Sequence, residues 1–174
     1  MIVIDVGAAK HGGDESIPYL IEEFKPDVLY GFDPSGIVDG GDLIGETHVI
    51  LRRAAAWTHE GTVGFVGDGL RGHVDADGEL VPCFDLARFI LGLPDEPIVL
   101  KLDAEGAEYD LLPHLIQAGA DLRLQLAWVE FHCPHCGTGW FTSDDRCGRC
   151  EHHEAGKRSD LEAAMRCEMH QWNR

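Results

Sequence analysis

The chain has 174 residues, 44% of them hydrophobic, enough for one full α/β core with a small appendage but not for two large independent domains. Its formal charge of −17 is unevenly spread: residues 1–131 hold 8 Lys and Arg against 24 Asp and Glu, whereas residues 132–174 hold 6 against 7. The body would repel a phosphate backbone, so nucleic acid is not an expected partner, and no run is apolar for long enough to span a bilayer.

The N-terminus leads directly into a strand, without the basic and apolar segments of a signal peptide, and a cytoplasmic location is the expectation. Residues 2–4 read as a central strand with Asp5 near its end, followed by Gly7, Ala8 and Ala9, where the backbone can approach a ligand closely. A helix is expected at about 14–25, with Ile17, Leu20, Ile21 and Phe24 at the 3.6-residue period. The strand at 28–32 ends on Asp33 and Pro34, and an acidic residue there is placed to accept hydrogen bonds from ribose hydroxyls. Residues 36–45, glycine-rich and acidic, read as a loop or a short poor helix.

Residues 48–53 form the third expected strand, and the alternation at 62–66 after a turn at 58–61 suggests an antiparallel hairpin on it. Residues 67–78, rich in glycine and aspartate, read as a mobile loop able to sit over a ligand. Residues 83–93 fit an amphipathic helix with Asp85 near its start. The run IVLKLDAEGAEYDLL at 98–112 then carries an apolar strand into a crowd of charges and a helix, as a buried strand does when it delivers polar groups to its carboxyl end. Lys101 costs free energy inside that strand unless a carboxylate or ligand compensates it; pairing with Asp103 is one solution. The plain reading of Asp103 and Glu105 is that they cap the following helix, with Glu108 structural inside it. A last strand at 122–131 delivers Glu130 and His132.

Cys133 and Cys136, then ten residues, then Cys147 and Cys150 make two Cys-x-x-Cys knuckles, the spacing of a structural zinc site. Four thiolates leave no open position for a substrate, so the metal would supply stability. Two disulfides or a redox pair are the other readings, with Cys83 and Cys167 as packing residues. Trp140 and Phe141 read as core of the zinc unit or as a stacking surface. Residues 159–172 read as a helix with Ser159 as N-cap, Glu162 completing a capping box, and Leu161, Met165, Met169 and Trp172 packing back.

Over roughly the first 132 residues, the order IDVGAA, YGFDPS, RRAAAW, FDLARFI, VLKLDAEGAEYDLL and VEFH resembles FkbM-type S-adenosylmethionine-dependent methyltransferases. The resemblance implies an α/β, Rossmann-like class I methyltransferase fold with a mostly parallel doubly wound sheet over 1–132; the cysteine spacing adds a zinc knuckle at 133–150, and the capping and apolar spacing add a C-terminal helix within 151–174. It implies that Asp5, Gly7 and Ala8 line the methionine end of the cofactor, that Asp33 with Pro34 holds the ribose, and that Ala55 and Asp68 flank the adenine. Asp103 would face the place where methyl and acceptor meet, with Lys101 and His132 beside it. The implied activity is methyl transfer to a hydroxyl of a small-molecule acceptor such as a sugar. The alternative is a non-catalytic zinc-knuckle module on a degenerate methyltransferase fold, binding nucleic acid or protein through Arg146, Arg149, Lys157 and Arg158. An NAD-dependent or nucleotide-sugar enzyme fits less well, because the first loop lacks a full Gly-x-Gly-x-x-Gly. An uncovered edge strand would give a second copy of the chain a place to pair, making a homodimer an expectation.

Overall fold

The computed structural model describes residues 1–8, 16–35, 37, 39–67, 72–132 and 157–172. In chain order these form β1 (Ile2–Val6), α1 (Ser16–Phe24), β2 (Val28–Phe32), β3 (Gly40–Ile44), β4 (Thr47–Arg52), β5 (Ala55–Trp57), β6 (Gly61–Val66) and β7 (His73–Val74). They continue with β8 (Glu79–Asp85), α2 (Leu86–Gly92), β9 (Ile98–Leu102), α3 (Glu108–Ala118), a 3-10 turn (Ala120–Arg123), β10 (Leu124–Val129), α4 (Lys157–Ala164) and β11 (Glu168–Gln171).

The apolar runs IVIDV and IVLKL are buried at every position, so they pair side by side at the centre of a seven-stranded sheet ordered β11-β10-β9-β1-β2-β4-β3. Alternation along β1 sorts the core. Ile2, Ile4 and Val6 pack with Leu86 and Ile90 of α2 and with Leu111, Leu112 and Leu115 of α3. Val3, on the other face, packs with Ile17 and Leu20 of α1 and with Trp172. Asp5 and Lys101 lie opposite each other in register; strand alternation puts both on the face of Val3.

The architecture differs from the expected Rossmann-like, mostly parallel doubly wound sheet. Four of the eleven strands among the described residues leave the large sheet and build a second one, ordered β5-β8-β6-β7, in which β6 runs antiparallel to both β7 and β8. Among the described residues strand outweighs helix, 40% against 28%, and they form a mixed α/β fold in two sheets. The hairpin expected on the third strand is absent there: β6 pairs with β8, and β4 takes β3 instead. The segment read as a loop or poor helix thus contributes an edge strand, β3, exposed at every position, with Leu43 57% and Ile44 44% exposed. Part of the glycine-rich loop becomes β7.

Two expected helices are shorter than their periodicity suggests. Residues 83–85 belong to β8, where Val81 and Cys83 point inward between exposed neighbours, and α2 starts only after Asp85, whose side chain accepts from Arg88 N. At the C-terminus the helix ends at Ala164, and Ser159 lies inside it rather than at its cap. The buried carboxylate of Asp121 binds Arg166 through backbone N and Nε, and the chain turns into β11, parallel to β10. The open edge of β10 offers backbone partners that a longer helix would leave unused.

Trp172 follows β11, donates its backbone N–H to Val129 O, and packs against Tyr19 of α1 and Trp128 of β10 with ring centroids 5.6 and 5.3 Å away. Trp172→Ala is therefore expected to cost about 3–5 kcal/mol in urea denaturation. It should also speed amide exchange across Glu168–Gln171; exchange unchanged from the parent would show that β11 holds without this anchor.

Candidate active site

The carboxyl ends of β10, β9, β1 and β2 lie next to one another, and each is followed by a residue expected at the site: His132, Asp103, Gly7 and Asp33. Gly7 is required by the backbone. It has φ +82°, and a Cβ there would come within 1.9 Å of the Asp103 carbonyl oxygen, so only glycine lets the end of β1 lie against the end of β9. The backbone N–H groups of Gly7 and Ala8 both donate to Phe32 O, tying the turn to β2.

Lys101 is buried within this frame. Its Nζ lies 3.2 Å from Asp5 Oδ1 and 3.2 Å from Asp103 Oδ2, donates to Gly7 O at 2.9 Å, and sits 5.8 Å from the centre of the Trp172 ring. Burial alone would lower the ammonium pKa, but the charges of Asp5 and Asp103 outweigh it and raise it above its ordinary value. Asp5 is fully buried and accepts from Ser16 Oγ at 2.5 Å, which joins the start of α1 to the same centre. The pairing of Lys101 with Asp103 thus exists, shared with Asp5.

Asp103 is one-quarter exposed and faces two ways: Oδ2 toward Lys101, and Oδ1 toward His132 Nε2 at 3.8 Å. His132 is buried. Its Nδ1 lies 3.3 Å from Glu108 Oε1, while Nε2 faces Glu130 at 3.6 Å and Glu105 at 3.8 Å. Glu108, fully buried, also accepts from Ala104 N at 2.8 Å and Gly106 N at 2.9 Å. It therefore shapes the turn that presents Asp103 and Glu105. Neither of those two residues caps α3, whose N-cap is Ala107 without a side-chain bond. Glu105 adopts φ +49°, an uncommon left-handed conformation for a residue with a side chain, and Gly106 follows at φ +105°.

Burial pushes the Glu105 carboxyl up to about 7; His132 opposes the shift, and Asp103, Glu108 and Glu130 add to it. Burial would lower the His132 imidazole, but the hydrogen bond and charge of Glu108, with Glu105 and Asp103, push it up to about 9. His132 is thus protonated at neutral pH in the ion-free chain, which leaves it a donor rather than a base.

The remaining expected residues lie outside this ion-pair network. Asp33, buried at the end of β2, accepts from Ser35 N at 2.8 Å and Ser35 Oγ at 2.9 Å, an Asx turn that fixes its carboxylate. Pro34 accepts from Arg53 Nε at 3.2 Å, which brings the segment before β5 beside it. Ala55 packs with Val81 and Cys83 in the small sheet, so its methyl group serves that core. Asp68, Trp140, Phe141 and the four cysteines Cys133, Cys136, Cys147 and Cys150 lie outside the described residues, as does the segment 9–15 after the first turn. Glu105, Glu108 and Glu130 were not assigned to the site from sequence; the signal was present in the spacing Asp103, Glu105, Glu108 and in Glu130-x-His132 at the end of the next strand. No protein-family model, curated protein or solved structure matches the chain, so the site is read from its own geometry.

Removing the buried cation leaves Asp5 and Asp103 uncompensated, and Lys101→Met is expected to lower stability by about 3–5 kcal/mol in urea denaturation. The double variant Lys101→Met/Asp5→Asn should recover part of that loss, as a coupled pair requires. The site also sets a pH dependence. His132 holds its proton to about pH 9 when folded against 6.5 unfolded, so its stabilisation is complete below 6.5 and is lost as pH rises through 9. Glu105 acts in the same direction between about 4.5 and 7. Without added divalent ions, the urea midpoint should fall from pH 6 to pH 9, by up to roughly 3 kcal/mol for His132. A His132→Gln variant should flatten that fall.

Proposed function

We propose that the chain is an S-adenosylmethionine-dependent methyltransferase acting on a hydroxyl of a small molecule such as a sugar, with a structural zinc held by Cys133, Cys136, Cys147 and Cys150. The observation that carries the reading is Asp103: a part-exposed carboxylate in a row of parallel strand ends, held by a buried ammonium on one side and facing an imidazole on the other. Ligands of open sheets bind at such edges. The hydroxyl acceptor follows from the resemblance of KLDAEGAEYDLL to the FkbM-type enzymes.

The residues fit such a cofactor chemically. Asp103, Glu105, Glu108 and Glu130 outnumber the cations Lys101 and His132, so the site favours a ligand bearing positive charge, as a sulfonium does. Asp33 offers an oriented carboxylate at the end of the neighbouring strand, where ribose hydroxyls are recognised. When bound, the cofactor supplies an electrophilic methyl group.

The chain's own residues align the acceptor and receive its proton. Lys101 holds Asp103 Oδ2 in place, which would leave Oδ1 to take the acceptor's hydroxyl proton while the methyl carbon exchanges its bond to the sulfonium sulfur for one to that oxygen. Protonated His132 donates from Nε2 to the acceptor oxygen and positions it beside Oδ1. Glu108 orients His132 through Nδ1.

Calorimetric titration of the zinc-replete protein should show saturable binding of S-adenosylmethionine and S-adenosylhomocysteine, lost in Asp33→Ala with the fold intact by circular dichroism. Asp103→Asn should retain that binding and slow single-turnover methyl transfer to glycosides by about 100-fold or more. A folded protein that binds neither compound would overturn the reading, and full transfer by Asp103→Asn would remove Asp103 from the mechanism.

A further inference from the structure

The geometry points to a divalent-cation site formed by Asp103, Glu105 and His132, in the mouth of the candidate active site. The ligand atoms of these residues all lie within 4.8 Å of one another. They come from two adjacent strand ends, β9 and β10, and so converge through the fold rather than through local sequence.

Two observations separate this group from an ordinary patch of surface acids. The first is His132, only 5% exposed, whose Nε2 is directed into the group and has no hydrogen-bond partner among the described residues. Its nearest oxygens stand at 3.6, 3.8 and 3.8 Å and belong to three different carboxylates, beyond hydrogen-bond reach of each. Donors around an ion with bonds of about 2.1 Å lie roughly 3 Å apart, so an ion would draw the three side chains inward by about 1 Å or less each. The second is Glu108, which holds Nδ1 of the same ring at 3.3 Å and is fixed by the N–H groups of Ala104 and Gly106. A carboxylate on the far nitrogen is the arrangement that orients a ligating imidazole and increases its basicity.

Charge agrees with geometry. Lys101 answers Asp5 and one oxygen of Asp103, which leaves Glu105, Glu108 and Glu130 facing a single imidazole. A divalent ion among these carboxylates would supply the positive charge that the neighbouring side chains do not. One imidazole with two carboxylates suits Mn2+, Fe2+ or Zn2+ more than the all-oxygen shells of Mg2+ and Ca2+. Three protein donors leave positions open for water or, on the methyltransferase reading, for the acceptor oxygen, which the ion would then hold in place of the His132 Nε2–H group and whose proton it makes easier to remove. Only that last step rests on the proposed function.

The test is a Mn2+ titration of the full chain with its thiolate zinc retained, followed by electron paramagnetic resonance of the free ion at about pH 8, where ligation of the imidazole is favoured. The expected result is one saturable site per chain, weakened tenfold or more in Glu105→Gln and in Asp103→Asn and unchanged in Glu79→Gln, an exposed acid in the small sheet. His132→Ala should abolish the site; if that variant does not fold, Glu105→Gln, whose side chain is 22% exposed, keeps the test decisive. No saturable site, or one indifferent to both Glu105→Gln and Asp103→Asn, overturns the proposal. Titrating the same samples with S-adenosylmethionine separates the two readings: a Mn2+ site without cofactor binding removes the methyltransferase alone, and cofactor binding without a Mn2+ site removes the metal alone.

Discussion

The buried ammonium of Lys101 organises the described part of this protein. An ammonium in the middle of a fully buried strand costs several kcal/mol unless opposite charge and hydrogen-bond acceptors meet it, and Lys101 is met by Asp5 across the strand pair, Asp103 two residues on, and the Gly7 carbonyl. Each partner brings an element with it. Asp5 holds Ser16 at the start of α1, Gly7 must be glycine for β1 to close on β9, and Trp172 beside the ammonium carries the last strand. The charge that makes the sheet centre expensive is thus also what sets its neighbours in place.

Asp103 divides the compensated side of the site from the uncompensated one. Toward Lys101 the charges nearly balance; toward His132 they do not, and there burial first and then the neighbouring carboxylates raise the Glu105 acid, while carboxylates outweigh burial to raise the His132 imidazole. A carboxylate placed on such a boundary can be fixed at one oxygen and reactive at the other. Both the proton transfer and the cation site draw on this asymmetry.

The parts legible in the sequence were those decided locally or by full burial. IVIDV, VLYGF and IVLKL announced their strands because continuous apolar runs bounded by charge have few other homes, and a lysine within one of them required a carboxylate nearby. The elements that were misread are those decided by a distant partner. GGDLI has no apolar pattern of its own and becomes β3 only because β4 offers an edge; residues 83–85 satisfy a helical period but are claimed by β6 and β5. The helix read at 159–172 gives way at Arg166 to a buried Asp121 that lies 45 residues earlier. Glu108 shows the same limit in the site: its position on a helix could be read, but its bond to His132 depends on where β10 ends.

The exposed edge of β3 gives the large net charge a role that no single residue has. An edge strand with one side unpaired among the described residues, carrying Leu43 and Ile44 in solvent, is a template for pairing with another chain, and its own sequence carries one charge, Asp42, to discourage that. Bodies of charge −17 repel before such edges can meet. That protection acts at long range and is screened within about 8–10 Å at physiological salt. The colloidal stability of this protein is therefore a property of its ionic surroundings as much as of its fold, and it weakens as salt rises even where every internal bond is intact.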